Sequence, residues 1–179
     1  MVAKSHSIDA RAFRAVLGRF ATGIIVVSAR AGGTCHAMTA NAFMSGSLEP
    51  PLIVIAVGHR AKMHGVLGRA DAFGVSILMQ DQETHSRHFA GQSDAMCRPR
   101  FKELAGVPVL ADGAACLTAF IVHRYDCGDH TLLVGGVEAL ETKQEAQDPL
   151  LFYSGKYAKL VSTRPVEVGT APDPLPFFY

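Results

Sequence analysis

The residues that stand out in this chain offer backbone and short polar side chains, not a strong nucleophile or acid. Between Met38 and Pro51 small side chains recur: Thr39, Ala40, Ala42, Ser45, Gly46 and Ser47, with Ala37 just before them. Side chains of this size let a flat ligand reach main-chain N–H and C=O groups. Thr39, Asn41, Ser45 and Ser47 add donors and acceptors that fix orientation. Two readings stand side by side. The segment is a strand packed tightly against a neighbour, or it is the floor for a planar heterocycle with polar edges. The density of hydroxyl and amide groups favours the second, and such a floor suits a cofactor that brings its own chemistry.

Three further groups of residues could do chemistry. Gly58-His59-Arg60-Ala61-Lys62-Met63 follows an apolar run and opens a helical pattern. Main-chain N–H groups with Arg60 and Lys62 would make an anion site, or simply a solvated basic turn. In Gln82-Glu-Thr-His-Ser-Arg-His-Phe89, His85 and His88 fall three apart. No carboxylate- or thiolate-rich partner accompanies them, so no metal is expected. Ser86, Arg87 and His88 are instead candidates to touch a phosphate or adenine. Gly128-Asp129-His130 puts a histidine at a strand mouth, where it could donate to a carbonyl, orient a second substrate or move a proton. The same three residues also suit a plain turn.

Other chemistries lack their residues. No G-x-S-x-G elbow occurs, and Cys35 and His36 are neighbours on an expected strand, pointing to opposite faces. No G-x-G-x-x-G or Walker-type loop is present. Arg98-Pro-Arg100 has no interleaved aromatics, and the net charge is +1, so no nucleic-acid partner is expected. No apolar run has the length of a membrane span, and Met1–Ser7 lacks the apolar core of a secretory signal. Four cysteines at 35, 97, 116 and 127, without a Cys-x-x-Cys pair, read as reduced thiols of a cytoplasmic protein.

The elements that must position these residues follow from periodicity. The 179 residues can bury one core. Phe13, Val16, Leu17 and Phe20 predict an amphipathic helix over Ile8–Phe20, capped by Ser7 or Asp9 and ended at Gly23. Ile24–Ser28 is a β-branched strand, Gly32-Gly33 a hairpin turn, and Pro50-Pro51 a break before a strand over Leu52–Val57. A helix follows from His59 to Ala70 with Met63, Val66 and Leu67 inward, then a strand over Phe73–Leu78. Asp81 is expected to cap a helix through Phe89, and Ala90–Gly106 reads as loop. Ala114–Tyr125 and Thr131–Glu141 read as long strands, and Pro149–Tyr153 as a short one. Six or seven strands, mostly consecutive, and three helices predict a mainly β protein: an antiparallel barrel with peripheral helices. Residues 1–162 form the domain and 163–179 a Pro-rich tail.

These residues, in this order, resemble the flavin reductase-like domain, the short-chain NAD(P)H:flavin oxidoreductase component of two-component flavin monooxygenases. The matching pieces are Phe13-Arg14, Phe20-Ala-Thr-Gly23, His36–Phe43, Ser47–Pro51, Arg60–Lys62, Phe89–Gly91, Gly128–His130 through Gly135, and Pro149–Tyr157. The resemblance implies a split β-barrel of the FMN-binding type and a homodimer. It implies reduction of FMN or FAD by NADH or NADPH, with reduced flavin passed to a partner monooxygenase.

By that resemblance Met38, Thr39, Ala40 and Asn41 line the isoalloxazine, and Ser45, Ser47 and Leu48 lie near its polar edge or the ribityl chain. His59, Arg60, Ala61 and Lys62 meet the phosphate. Ser86, Arg87, His88, Phe89 and Ala90 border the rest of an FAD. His130 holds the nicotinamide, and Tyr153 to Tyr157 close the cleft. Ala42 replaces a serine of many relatives, losing a hydroxyl; Gly46 replaces a valine, which would loosen the strand. Hydride transfer between stacked rings needs placement more than protein nucleophiles. The rival readings are a non-catalytic flavin-binding barrel, a flavin-free small-ligand barrel and an interaction module.

Overall fold

The computed structural model describes residues 8–92, 94–143 and 148–161. Helix α1 spans Ala10–Leu17, then come strands β1 (Thr22–Gly23), β2 (Ile25–Ala31), β3 (Thr34–Ala40), β4 (Phe43–Leu48) and β5 (Pro51–Gly58). Helix α2 (Lys62–Leu67), β6 (Ala72–Ile77), a 3-10 turn (Gln80–Gln82) and α3 (Glu83–Phe89) follow. The rest is β7 (Phe101–Leu104), β8 (Val107–Leu110), β9 (Ala115–Cys127), β10 (His130–Thr142), β11 (Leu151–Tyr153) and β12 (Lys156–Ala158).

Seven strands form one antiparallel sheet in the order β3-β2-β6-β9-β10-β5-β4. Its two edge strands, β3 and β4, are joined through only Asn41 and Ala42 and share no ladder. A sheet whose first and last strands meet across two residues has curled around a core without closing. The expected antiparallel barrel is therefore present, opened along a seam. Ile25 and Val27 of β2, Ile55 of β5, Phe73 of β6, Ala119 of β9 and Leu133 of β10 fill its interior, and α2 adds Met63, Val66 and Leu67. Arg124 holds α2 in place by donating to Leu67 O and Ala70 O at 3.3 and 2.8 Å.

A second core lies outside the barrel wall. Ile24, Val26, Leu78, Leu110 and Leu150 are buried there, with Phe89, Phe101, Phe152 and Tyr157 packed on them. The run Ile24–Val27 is continuously apolar because β2 is covered on both faces. At Gly32-Gly33 both φ angles are positive, +57° and +78°, and Ala31 pairs with Thr34. That is the two-residue hairpin that glycines permit. Gly74 allows β8 to cross closely over β6, because a Cβ there would stand 2.8 Å from Val109 Cγ1.

Several expectations need correction. The first helix ends at Gly18, whose N–H donates to Arg14 O at 2.8 Å, not at Gly23, which is taken up by β1. Its apolar face is not buried: Phe13, Val16, Leu17 and Phe20 are 53, 70, 55 and 77% exposed. The small-residue segment is two strands broken at Asn41-Ala42, with a bulge between Ser45 and Ser47. Gly46 does not loosen that bulge, since a Cβ there would already stand 3.3 Å from Val54 Cγ2. Asp81 does not cap α3; it lies inside a 3-10 turn, Gln80–Gln82, that precedes the helix and in which the Gln82 side chain accepts the Met79 N–H at 2.9 Å. Phe101–Leu104, expected as loop, pairs with β8, which had no expected counterpart. The described residues hold twelve named strands and three α-helices. The Pro-rich tail lies outside the described residues.

Candidate active site

Two adjoining clefts open beside the seam of the barrel. The first, about 590 Å³, is lined by Thr39, Ala40 and Asn41 at the end of β3, by Glu83, Ser86, Arg87 and Ala90 of α3 and its end, and by Tyr157 of β12. Its polar groups are tied together. Thr39 Oγ1 donates to Ser86 O at 2.7 Å, and Ser86 Oγ meets the Tyr157 hydroxyl at 2.9 Å. The Arg87 guanidinium lies 4.7 Å over the Tyr157 ring and is held by Glu83 at 2.6 Å, an i,i+4 pair on α3.

The second cleft, about 720 Å³, is apolar. Its floor is the outer face of the sheet, with Met44 of β4, Val54 and Ala56 of β5 and Leu132 of β10; α1 with Leu17, and Phe20 beyond it, forms a wall. Asn41, Phe152 and Gly155 line both clefts. Asn41 Nδ2 donates to Thr22 Oγ1 at 3.2 Å, which ties the seam to β1. Gly155 and Ser154 make the β11–β12 turn with φ of +76° and +49°.

His130 belongs to the same outer face as the apolar floor. Strand pairing aligns Met44, Val54 and Val134 in one row, Ala56, Leu132 and Tyr125 in the next, and Gly58 and His130 in the row after that. Directly paired residues of a sheet share a face, and the face recurs every second residue. The His130 ring lies over Gly58, where a Cβ would come 3.5 Å from Nε2. Its Nδ1 is 2.7 Å from Asp129 Oδ1. That hydrogen bond and the imidazole's charge hold the Asp129 carboxyl below the usual carboxylate range. With Nδ1 occupied by Asp129, Nε2 is the nitrogen left to meet a ligand.

The expected residues thus divide. Thr39, Ala40, Asn41, Ser86, Arg87, Ala90 and Tyr157 converge on the polar cleft. Met38 packs against the barrel core and Phe89 against the second core. His88 Nδ1 is buried without a hydrogen-bond partner. Ser45, Ser47 and Leu48 lie along β4 outside both clefts; Ser47 Oγ accepts the Glu49 N–H at 3.2 Å, and Leu48 is exposed. The basic turn also lies outside them. His59 Nε2 sits 3.2 Å from Thr131 Oγ1, Arg60 and Lys62 are exposed, and Ala61 packs on the core. Tyr153 meets Arg19 at 3.4 Å, and that cation lowers its phenol pKa.

Sequence reasoning missed Glu83, Gln92 and Phe152 of the polar cleft, and the α1 wall of the apolar one, whereas Gly155 and Lys156 fall within the expected Tyr153–Tyr157 span. Glu83 was findable from its i,i+4 spacing to Arg87. No local signal marks α1 as a cleft wall.

Comparison with known proteins agrees with this geometry. Residues 17–161 match the family model described as "Flavin reductase like domain". The chain is 41% identical to an NADH-dependent flavin reductase of a Rhodococcus species over 150 residues, 82% of this chain and 84% of that protein. It is 44% identical to the reductase component of a 4-hydroxyphenylacetate 3-monooxygenase of Thermus thermophilus, over 84% of this chain and 96% of that one. Among solved structures, flavin reductase PheA2 superposes with a TM-score of 0.83 at 42% identity, covering 87% of this chain and all of that one. A seamed antiparallel barrel flanked by a polar and an apolar cleft, on a chain matched over nearly its whole described length, belongs to the flavin reductase-like family.

Proposed function

We propose that this protein is an NAD(P)H:flavin oxidoreductase that reduces FMN or FAD and delivers the reduced flavin to a monooxygenase component. The observation that carries the proposal is the shared border of the two clefts at Asn41, Phe152 and Gly155. One side offers hydroxyls, a guanidinium and small residues for a polar-edged heterocycle. The other offers an apolar floor with a histidine two ladder positions away. These residues fit a flavin: Thr39, Ala40 and Asn41 would hold its ring system, and Arg87, with Lys156 nearby, its phosphate end. When bound, flavin supplies the acceptor for the hydride that nicotinamide C4 gives up.

The chain's own residues do the rest. Asn41, fixed by Thr22, presents its amide at the border of the clefts. His130, oriented by Asp129, offers Nε2 to the nicotinamide amide. Placement of two reactants is the main contribution such a site makes to rate. Residues 1–162 act as one domain in this reading. A homodimer is part of it: Phe13, Leu17 and Phe20 around α1, and Met44, Phe120 and Tyr125 on the outer face of the sheet, are each more than half exposed. An apolar surface of that extent marks an interaction site. All four cysteines are free, which fits a cytoplasmic location. Among the described residues no helix is long and apolar enough to cross a membrane.

The test is a kinetic matrix of NADH and NADPH against FMN and FAD. Consumption of reduced nicotinamide with at least one pair is expected. Flavin binding without consumption would establish the non-catalytic barrel instead, and neither binding nor consumption would overturn the proposal.

A further inference from the structure

Ser86 is fully buried, yet it is the residue from which both walls of the polar cleft are held. Its carbonyl accepts from Thr39 on β3 of the seven-stranded sheet. Its hydroxyl meets Tyr157 on β12 of the three-stranded sheet β1-β11-β12. Among the described residues no ladder joins those two sheets; besides the Asn41–Thr22 bond at the seam, α3 links them at this end of the cleft. The Tyr157 ring is further located by Arg87 at 4.7 Å and by Phe152, edge-on at 5.7 Å. Of these contacts only the one to Ser86 fixes the hydroxyl end of the ring.

We propose that Ser86 is a positioning residue: it acts through Tyr157, setting the width of the polar cleft, and so governs flavin affinity without touching flavin. This rests on the reductase reading above; the alternative, given by the sequence, is that Ser86 borders the ligand itself. A part-buried hydroxyl–hydroxyl bond contributes modestly to any equilibrium it controls, so its loss is expected to cost about three- to tenfold. Two substitutions remove that one bond from opposite ends, Ser86→Ala and Tyr157→Phe. Each keeps the packing atoms, and alanine suits a helix interior.

The experiment measures flavin dissociation constants by fluorescence quenching, and KM for flavin and for NADH, in wild type, both single variants and the double variant. Thermal midpoints verify folding. Each single variant is expected to raise the flavin Kd and KM about three- to tenfold. The NADH KM should move by less than twofold and kcat at saturating flavin by less than threefold. The double variant should match the singles within about twofold, because one bond is lost only once. Multiplicative losses in the double variant would overturn the proposal, as would an unchanged flavin Kd in Ser86→Ala or a loss confined to kcat. If wild type binds flavin but oxidises no nicotinamide, the reductase reading fails while the binding cycle still decides the role of Ser86.

Discussion

In the polar cleft Thr39, Ser86, Tyr157, Arg87 and Glu83 all have partners within the chain. Across Asn41 and Phe152, the apolar cleft is bounded by Leu17, Phe20 and Met44, exposed at 55, 77 and 60%. One side is preorganised by hydrogen bonds before any ligand arrives. The other presents apolar surface that gains free energy when something covers it. Preorganisation lowers the ordering cost of binding, whereas uncovered apolar area supplies a driving force for association. The pairing suits a protein that holds one planar molecule by its edges and receives a second against an apolar face.

Charging the uncovered side should have the largest effect. Leu17→Asp combined with Met44→Asp places carboxylates in the proposed dimer contact. Burying them unpaired should weaken self-association by at least about a hundredfold. Sedimentation velocity should then show a monomer where wild type is a dimer; an unchanged dimer would place the interface elsewhere. Next, His130→Ala should lower kcat/KM for NADH by about ten- to a hundredfold while the flavin Kd moves less than about threefold. Steady-state kinetics with fluorescence titration measures both, and the reverse pattern would break the division between the clefts.

On the polar side, Thr39→Val removes the hydroxyl that Ser86 O accepts. It should raise the flavin KM about three- to tenfold and leave the NADH KM unchanged.

The smallest effect belongs to Asp129. Its folded carboxyl pKa is depressed by His130, so the contribution of the pair is present above the unfolded value near 3.8 and fades as pH falls through the folded one. From pH 6 upward Asp129 therefore adds no pH dependence to NADH efficiency. Asp129→Asn should lower that efficiency by only about two- to fourfold, since the pair is solvent-exposed. A larger drop, confined to acid pH in wild type, would assign the carboxylate a proton-transfer role.

Much of this arrangement was legible in the residues. The β-branched run Ile24–Val27, the Gly32-Gly33 turn and the inward face of α2 follow from local rules, and the structure matches them. The small-residue segment reads as a ligand floor, and its residues Thr39–Asn41 line the polar cleft. What failed did so where tertiary contacts decide. The α1 periodicity correctly gave a helix, but periodicity alone does not say whether an apolar face meets the same chain or another molecule. Asp81 is a good capping residue that is instead absorbed into the 3-10 turn before α3, where the longer side chain of Gln82 reaches Met79. Phe101–Leu104 carries Lys102 and Glu103, so it lacks the apolar run of a buried strand. It is a strand because β8 pairs with it over the wall of β2 and β6. The basic turn at Arg60 and Lys62 is a real helix start, yet the two clefts lie elsewhere. Proximity across the fold was not written in spacing along the chain.

Because β2 serves both cores, it is satisfied only after two separate sets of neighbours have arrived. Until then the six residues Ile24–Ala29 present an uncharged, proline-free, β-prone segment with nothing on either side. Such a segment self-associates readily when chains are crowded. Recovery of this protein from denaturant should therefore fall as chain concentration rises, with Val26→Lys sparing the solubility of the unfolded chain while destroying its native state.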